Sequence, residues 1–192
     1  MIPPGITERR NWMTRILCLG DSITDCGRLF SADPLGKGYV KQLSCLLHNT
    51  DHRFSIENRG IDGFTLERLL QNTDFWLESS DPDIVTVLIG INDVGIMMNT
   101  RRSSAQQQDL MNKFVTRYEL LAKKLSCTNS RKRKLYFLEP FVFPWPRCYA
   151  SWLPFFHRCP CILKRSVRIM APFLSRCRTI WIRKLHGPGL HQ

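Results

Sequence analysis

Apolar residues in this chain fall into short continuous runs separated by longer stretches of mixed polarity. Arg15 to Leu19 is an apolar run that stops at Gly20, the pattern of a buried strand entering a loop. From Tyr39 to Leu47 the residues Val40, Leu43, Leu46 and Leu47 recur at helical spacing, which predicts one apolar helix face. Phe54 to Glu57 predicts a second short strand. Thr65 to Leu70 predicts a short helix with Thr65 as its cap and Glu67 in the first turn. The run Ile84 to Ile89, reading IVTVLI, predicts a strand covered on both faces and therefore the centre of a sheet. A long helix follows, capped by Ser103 or Ser104 and reaching Ser126, with Leu110, Phe114, Tyr118, Leu121 and Leu125 three and four residues apart. Leu135 to Leu138 predicts a fourth strand, ended by Pro140 and by Pro144 and Pro146 beyond it.

Strands that alternate with helices pair in parallel through right-handed crossovers. The expected fold class is therefore α/β, a three-layer α/β/α sandwich around a parallel sheet. In such sheets reactive groups collect at the carboxyl ends of the strands.

Composition narrows the picture. A chain of 192 residues is long enough for one domain with a sizeable core and short for two. No apolar run approaches the ~20 residues that span a bilayer, so no membrane partner is expected. Met1 to Thr14 has no apolar stretch before its arginines and no small-residue cleavage pattern, which predicts a cytoplasmic protein. Met13-Thr14-Arg15-Ile16 is a natural start for the first strand, so residues 1–13 read as a leader. The eight cysteines are expected to be reduced thiols. Cys159 and Cys161 stand one residue apart, closer than structural zinc pairs, so no metal is expected.

The net charge of +12 is concentrated in one place. From Phe141 to Gln192 there are nine Lys or Arg and no Asp or Glu, so residues 1–140 hold 19 basic and all 16 acidic residues, a net of +3. The same segment holds four of the eight cysteines and three of the five tryptophans, and it has no clear helical or strand periodicity. This divides the chain into a domain over residues 14–146 and a basic tail over residues 147–192. Charge alone would suit a nucleic-acid or anionic-surface binder. The tail lacks the basic-aromatic motif of a known module, however, so no specific nucleic-acid partner is expected. The basic run Arg131 to Lys134 reads as a solvated turn before a strand.

Three polar clusters sit where the first three predicted strands end: Gly20-Asp21-Ser22-Ile23-Thr24, Asn58-Arg59-Gly60-Ile61-Asp62-Gly63-Phe64-Thr65, and Gly90-Ile91-Asn92-Asp93. Each alone is a common turn. Their joint order, and the longer stretches GDSITDCGR and PDIVTVLIGINDV, resemble the first three sequence blocks of the SGNH, or GDSL-type, ester hydrolases. The resemblance covers residues 14–146 and implies a flavodoxin-like sheet, a small-molecule carboxylic ester as substrate, with acyl or acetyl groups on carbohydrate among the options, and no cofactor.

Ester cleavage needs a nucleophile that can reach the carbonyl and donors that hold the charge developing on its oxygen. By resemblance Ser22, in the loop after the first strand, is the nucleophile. Its own backbone N–H, the N–H of Gly63 and the side-chain amide of Asn92 match the family's oxyanion hole. A glycine at 63 would let the backbone approach the substrate. Gly60 is the rival for that role, and Gly63 is preferred because it precedes Thr65 in the family's Gly-x-Thr pattern. Asp21 and Asp93 are expected to brace the loops by accepting backbone hydrogen bonds.

The base is missing. A serine hydroxyl is a weak nucleophile until a histidine takes its proton and an acid orients that histidine. The family supplies both from a late Asp-x-x-His. Here the residues three positions before His48, His52, His157, His186 and His191 are Cys45, Asn49, Pro154, Arg183 and Pro188, and no acid follows Glu139. The loss of acids and periodicity begins just after Glu139-Pro140-Phe141, as a shifted reading frame would produce, because shifted codons keep no memory of folding. Synonymous codons exist for residues 168–192 under which reading from the third base of the Arg168 codon encodes an apolar strand-like run followed by an acidic helical segment. The expected chain is thus an SGNH-type hydrolase with an aberrant tail, an incomplete C-terminal part and impaired activity; the alternatives are a non-catalytic remnant, or nucleic-acid or anionic-surface binding through the basic tail. The coding DNA is expected to hold an Asp-x-x-His in another frame, with the break between Pro146 and Arg168. Sequencing the gene checks this, and an uninterrupted gene with no such motif in any frame would refute it.

Overall fold

The computed structural model describes residues 13–50, 53–98, 101–126 and 133–138, and the backbone of 179–182. The elements run β1 (Thr14–Gly20), α1 (Ser22–Asp25), a 3₁₀ turn (Arg28–Phe30), α2 (Tyr39–His48), β2 (Phe54–Gly60), α3 (Leu66–Ser80), β3 (Ile84–Leu88), α4 (Ile91–Met98), α5 (Ser104–Ser126), β4 (Lys134–Leu138) and β5 (Thr179–Ile182). All pairings are parallel, in the order β2-β1-β3-β4-β5. The chain leaves β1 toward β2 on one side and then returns to β3 on the other. The switch point of the sheet therefore lies between β1 and β3, where open α/β sheets bind ligands.

Side-chain periodicity divides the core between the two faces. On one face Leu17 and Leu19 of β1, Val85 and Val87 of β3, and Leu135 and Phe137 of β4 pack against Leu66, Leu69 and Trp76 of α3 and against Phe114, Tyr118, Leu121 and Leu125 of α5. Tyr118 sits between Phe114 and Phe137, with ring centroids 5.7 and 5.6 Å away. On the other face Ile16 and Cys18 meet Val40 of α2. Each fully buried leucine contributes about 1.5–3 kcal/mol by leaving water. Helices on both faces of a parallel sheet give the expected three-layer sandwich.

Several elements depart from the sequence expectation. The tail, read as free of strand periodicity, contains β5, which pairs with β4 from Leu135 opposite Thr179 to Leu138 opposite Ile182. β2 runs on to Gly60, so the Asn58-Arg59-Gly60 stretch lies in the strand and not beyond it. As an edge strand β2 is polar on its outer positions, which hid its length. α3 extends to Ser80, where Asp81 turns left-handed (φ 38°) and Pro82 follows. Leu46, placed on the apolar face of α2, is 70% exposed, because it lies about 120° around the helix from Val40. Ser103, not Ser104, caps α5. Its Oγ accepts from Gln106 N (3.3 Å) while Gln106 Oε1 accepts from Ser103 N (2.8 Å), a reciprocal capping box. Among the described residues Cys18, Cys26 and Cys45 are free thiols.

The two glycines of the second polar cluster do different work. At Gly60 a Cβ would stand 2.1 Å from Asp25 N and 2.5 Å from Thr24 C, both backbone atoms of α1, so only glycine lets α1 lie on the end of β2. At Gly63 a Cβ would meet nothing within 4 Å, but the backbone has φ +70°. Gly60→Ala is expected to force α1 away from β2 and to cost several times the stability lost in Gly63→Ala, which should pay only the left-handed backbone penalty of about 1–2 kcal/mol. Urea unfolding of the two variants checks this; equal losses would refute the contact as the reason for Gly60.

Candidate active site

Strand register gathers the three polar clusters at one end of the sheet. Gly20 at the end of β1 pairs with Gly60 of β2 on one side and with Leu88 of β3 on the other. The residues that follow each strand therefore emerge side by side.

Ser22 follows β1, but not in a loop as expected: it is the first residue of α1. Asp21 is the N-cap, and its Oδ1 accepts from Ile23 N at 3.0 Å. Ser22 itself is partly exposed. Asp21 is 1% exposed, and burial pushes its carboxyl up to about 6 against the hydrogen bond from Ile23, with the charge of Asp62 adding to the rise.

Asn92 and Asp93 follow β3, again in the first turn of a helix, α4, where the sequence suggested a loop. Asn92 Nδ2 donates to Phe64 O at 2.8 Å, which ties the β3 cluster to the residue after Gly63. A side-chain amide has two donor hydrogens, so one remains beyond this contact. Asp93 Oδ2 accepts from Leu66 N at 2.9 Å, the first residue of α3. Burial pushes Asp93 up to about 6, opposed by that hydrogen bond and by Arg117, with Asp21 adding to the rise. Both aspartates thus accept a hydrogen bond from a backbone N–H at the start of a helix.

Gly63 lies in the turn between β2 and α3 and is exposed. Its glycine requirement is the positive φ; the surroundings leave room for a side chain. Among the described residues no hydrogen bond takes up the N–H of Gly63 or of Ser22. The N–H of Gly60, in contrast, donates to Asn58 Oδ1 at 2.9 Å. Gly60 is therefore committed to packing and to an internal bond, whereas Gly63 has an open N–H.

Two residues passed over in the sequence hold these pieces together. Asn58, 3% exposed, donates through Nδ2 to Thr24 O (2.7 Å) and Leu35 O (2.8 Å) in addition to accepting from Gly60 N. Its Asn-x-Gly spacing signalled the local turn but not the two distant bonds. Arg28 Nη2 donates to Gly60 O at 2.8 Å. Thr24 Oγ1 also lies 3.2 Å from the Tyr39 hydroxyl, and burial keeps that phenol protonated. His157, His186 and His191 lie outside the described residues. No helix among the described residues is long and apolar enough to cross a membrane.

The sequence model of the GDSL-like lipase/acylhydrolase family matches residues 18–155, well over half of the chain. An acetylxylan esterase of Geobacillus stearothermophilus is 39% identical over 87 residues, 42% of this chain and 40% of that protein, so the matched stretch spans less than half of the relative. Among solved structures, Axe2, an acetylxylan esterase from Geobacillus stearothermophilus, aligns over 88% of this chain and 75% of its own, with 21% identity and a TM-score of 0.65. The α/β hydrolase LAE5, from the metagenome of Lake Arreo, Spain, aligns over 84% and 76%, with 22% identity and a TM-score of 0.62. Structures described as catalytic mutants of Axe2 carry alanine in place of a serine in one case and of an aspartate in another. The match over residues 18–155, together with a parallel sheet that aligns the three polar clusters, shows that this chain belongs to the GDSL-like lipase/acylhydrolase family.

Proposed function

We propose that this chain is a serine ester hydrolase for acetyl esters of carbohydrate, with Ser22 as nucleophile and Ser22 N–H, Gly63 N–H and the Asn92 amide as oxyanion donors. The observation that carries this reading is the convergence of the β1, β2 and β3 clusters on the switch point of the sheet, with Asn92 anchored on Phe64 and the N–H of Gly63 left open. The acetylxylan esterases among its relatives supply the substrate class. Asp21 and Asp93 are supports.

In the proposed reaction Ser22 Oγ attacks the acetyl carbonyl and its proton passes to a base. The carbonyl oxygen takes the negative charge, and the three donors hold it where it develops. Collapse expels the sugar alcohol and leaves an acetyl-serine, which water hydrolyses to acetate by the same route. The serine replaced in one Axe2 catalytic mutant supports this nucleophile. The weak link is the base. With no acid after Glu139, no late Asp-x-x-His orients a histidine, and the hydroxyl stays protonated. The 192-residue chain is accordingly proposed to be impaired, and its tail to be read in the wrong frame.

Turnover of an aryl acetate tests the reading in three proteins: the 192-residue chain, its Ser22→Ala variant, and the protein made from the frame-restored gene. The chain as given should show only a trace of activity, because in serine proteases the oxyanion hole and binding alone leave about 10³- to 10⁴-fold over water after loss of the triad. The restored protein should be active on the aryl ester and on acetylated xylo-oligosaccharides. In it, Ser22→Ala should abolish turnover and Asn92→Ala should lower kcat about 100- to 1000-fold. Full activity in the unmodified chain, abolished by Ser22→Ala, would refute the missing-base argument. Full activity in restored Ser22→Ala would refute the nucleophile.

A further inference from the structure

We propose that Arg28 is a positioning residue for this site: it clamps the loop that carries Gly63 onto the segment that carries Ser22, a role that rests on Gly63 being an oxyanion donor. The peptide unit joining Gly60 to Ile61 is hydrogen-bonded at both ends. Its N–H, on Ile61, donates to Gly20 O at 3.2 Å, just before Asp21-Ser22. Its carbonyl, on Gly60, accepts from Arg28 Nη2 at 2.8 Å, just after α1. The two bonds thus come from the two flanks of the candidate nucleophile.

A peptide unit is planar, so bonds at both its N–H and its C=O fix its orientation. That orientation sets the direction in which the chain leaves β2, with only Ile61 and Asp62 between the clamped unit and Gly63. The guanidinium also forms an ion pair, without a hydrogen bond. Its Nε faces Asp25 Oδ1 at 3.5 Å, and the side chains of Arg28 and Asp25 are 17% and 4% exposed. Asp25 in turn accepts from Gly27 N through Oδ2 at 3.1 Å. Gly27, at φ +75°, turns the chain between α1 and the 3₁₀ turn that begins with Arg28.

An arginine suits this place because its planar fork can offer one nitrogen to Gly60 O while another faces a carboxylate. A lysine is a single point charge and cannot span both. A bond from a charged donor to a shielded carbonyl is also stronger than a neutral one. The strand pairing of β1 with β2 and the bonds of Asn58 do not involve Arg28, so its removal should free the Gly60–Ile61 peptide without unravelling the sheet.

Amide hydrogen exchange on the full 192-residue chain tests the clamp without relying on catalysis. In Arg28→Ala, exchange over residues 61–65, read at the hydrogen-bonded amides of Ile61 and Phe64, should rise about tenfold while residues 84–88 of β3 keep their protection. Arg28→Lys should fall between the two, and added methylguanidinium should restore part of the protection in Arg28→Ala. In the frame-restored protein Arg28→Ala should lower kcat about tenfold with KM changed by less than about twofold, and methylguanidinium should recover part of the rate. Unchanged exchange over 61–65 would overturn the proposal, and so would an equal loss over 61–65 and 84–88, the mark of a general stability residue. If Arg28→Ala does not fold, Arg28→Met, which keeps the aliphatic stem and has no donor for Gly60 O, is judged by the same criteria. A local rise in exchange with no esterase activity in the restored protein would support the clamp and refute the catalytic reading.

Discussion

Asn58 reaches from the end of β2 to three backbone groups at once, and much of the site depends on it. Its amide donates to Thr24 O in α1 and to Leu35 O in the segment before α2, while its oxygen accepts from Gly60 N. These groups lie where water reaches poorly, and leaving any of them unpaired would cost about 1–3 kcal/mol. Asn58 can serve all three only because α1 approaches the strand closely, and that approach requires a hydrogen at Gly60 where other residues have a Cβ. A single polar side chain and a single missing one thereby join the segment that carries Ser22 to the strand that leads to Gly63.

Besides Asp25, two further buried carboxylates stand around this joint. Asp21 and Asp93 each accept from a backbone N–H in the first turn of a helix, where the helix dipole favours a negative charge. Burial nevertheless outweighs these bonds and raises both groups from an ordinary value of 3.8 to about 6. A raised acid holds its proton more tightly in the folded state than in the unfolded one. Its contribution to stability is full below about pH 4 and is lost as pH rises through about 6. At neutral pH the pair is therefore a cost to the fold, set against the fixed positions it gives to α1 and α3.

The tail brings together a strand and a missing acid. β5 lies beside β4 with a parallel register, although the segment that contains it has no Asp or Glu. A strand joins a sheet edge mainly through backbone hydrogen bonds, and the β-branched and aromatic residues of TIWI are well suited to strands. A base and its orienting acid, in contrast, depend on particular side chains. A fifth strand is thus compatible with a segment that holds no Asp-x-x-His.

The amino-acid sequence by itself determined the alternation of strands and helices, the apolar core of β1, β3 and α5, and the order of the three polar clusters, because buried strands and amphipathic helices write their periodicity directly into the chain. It also determined that no acid precedes a late histidine by three residues. It misjudged elements whose residues lack that periodicity: the polar edge strand β2 up to Gly60, the short helix α4 that holds Asn92 and Asp93, and β5. Only the tertiary structure revealed how differently Gly60 and Gly63 are placed, where the sequence offered no more than the Gly-x-Thr pattern to prefer Gly63. Gly60 packs against α1 and donates its N–H to Asn58, while Gly63 has a positive φ and an N–H with no partner among the described residues. The bonds from Arg28 to Gly60 and from Asn92 to Phe64 join residues about thirty positions apart in the chain, and pairing at that distance depends on sheet register and leaves no local pattern to read.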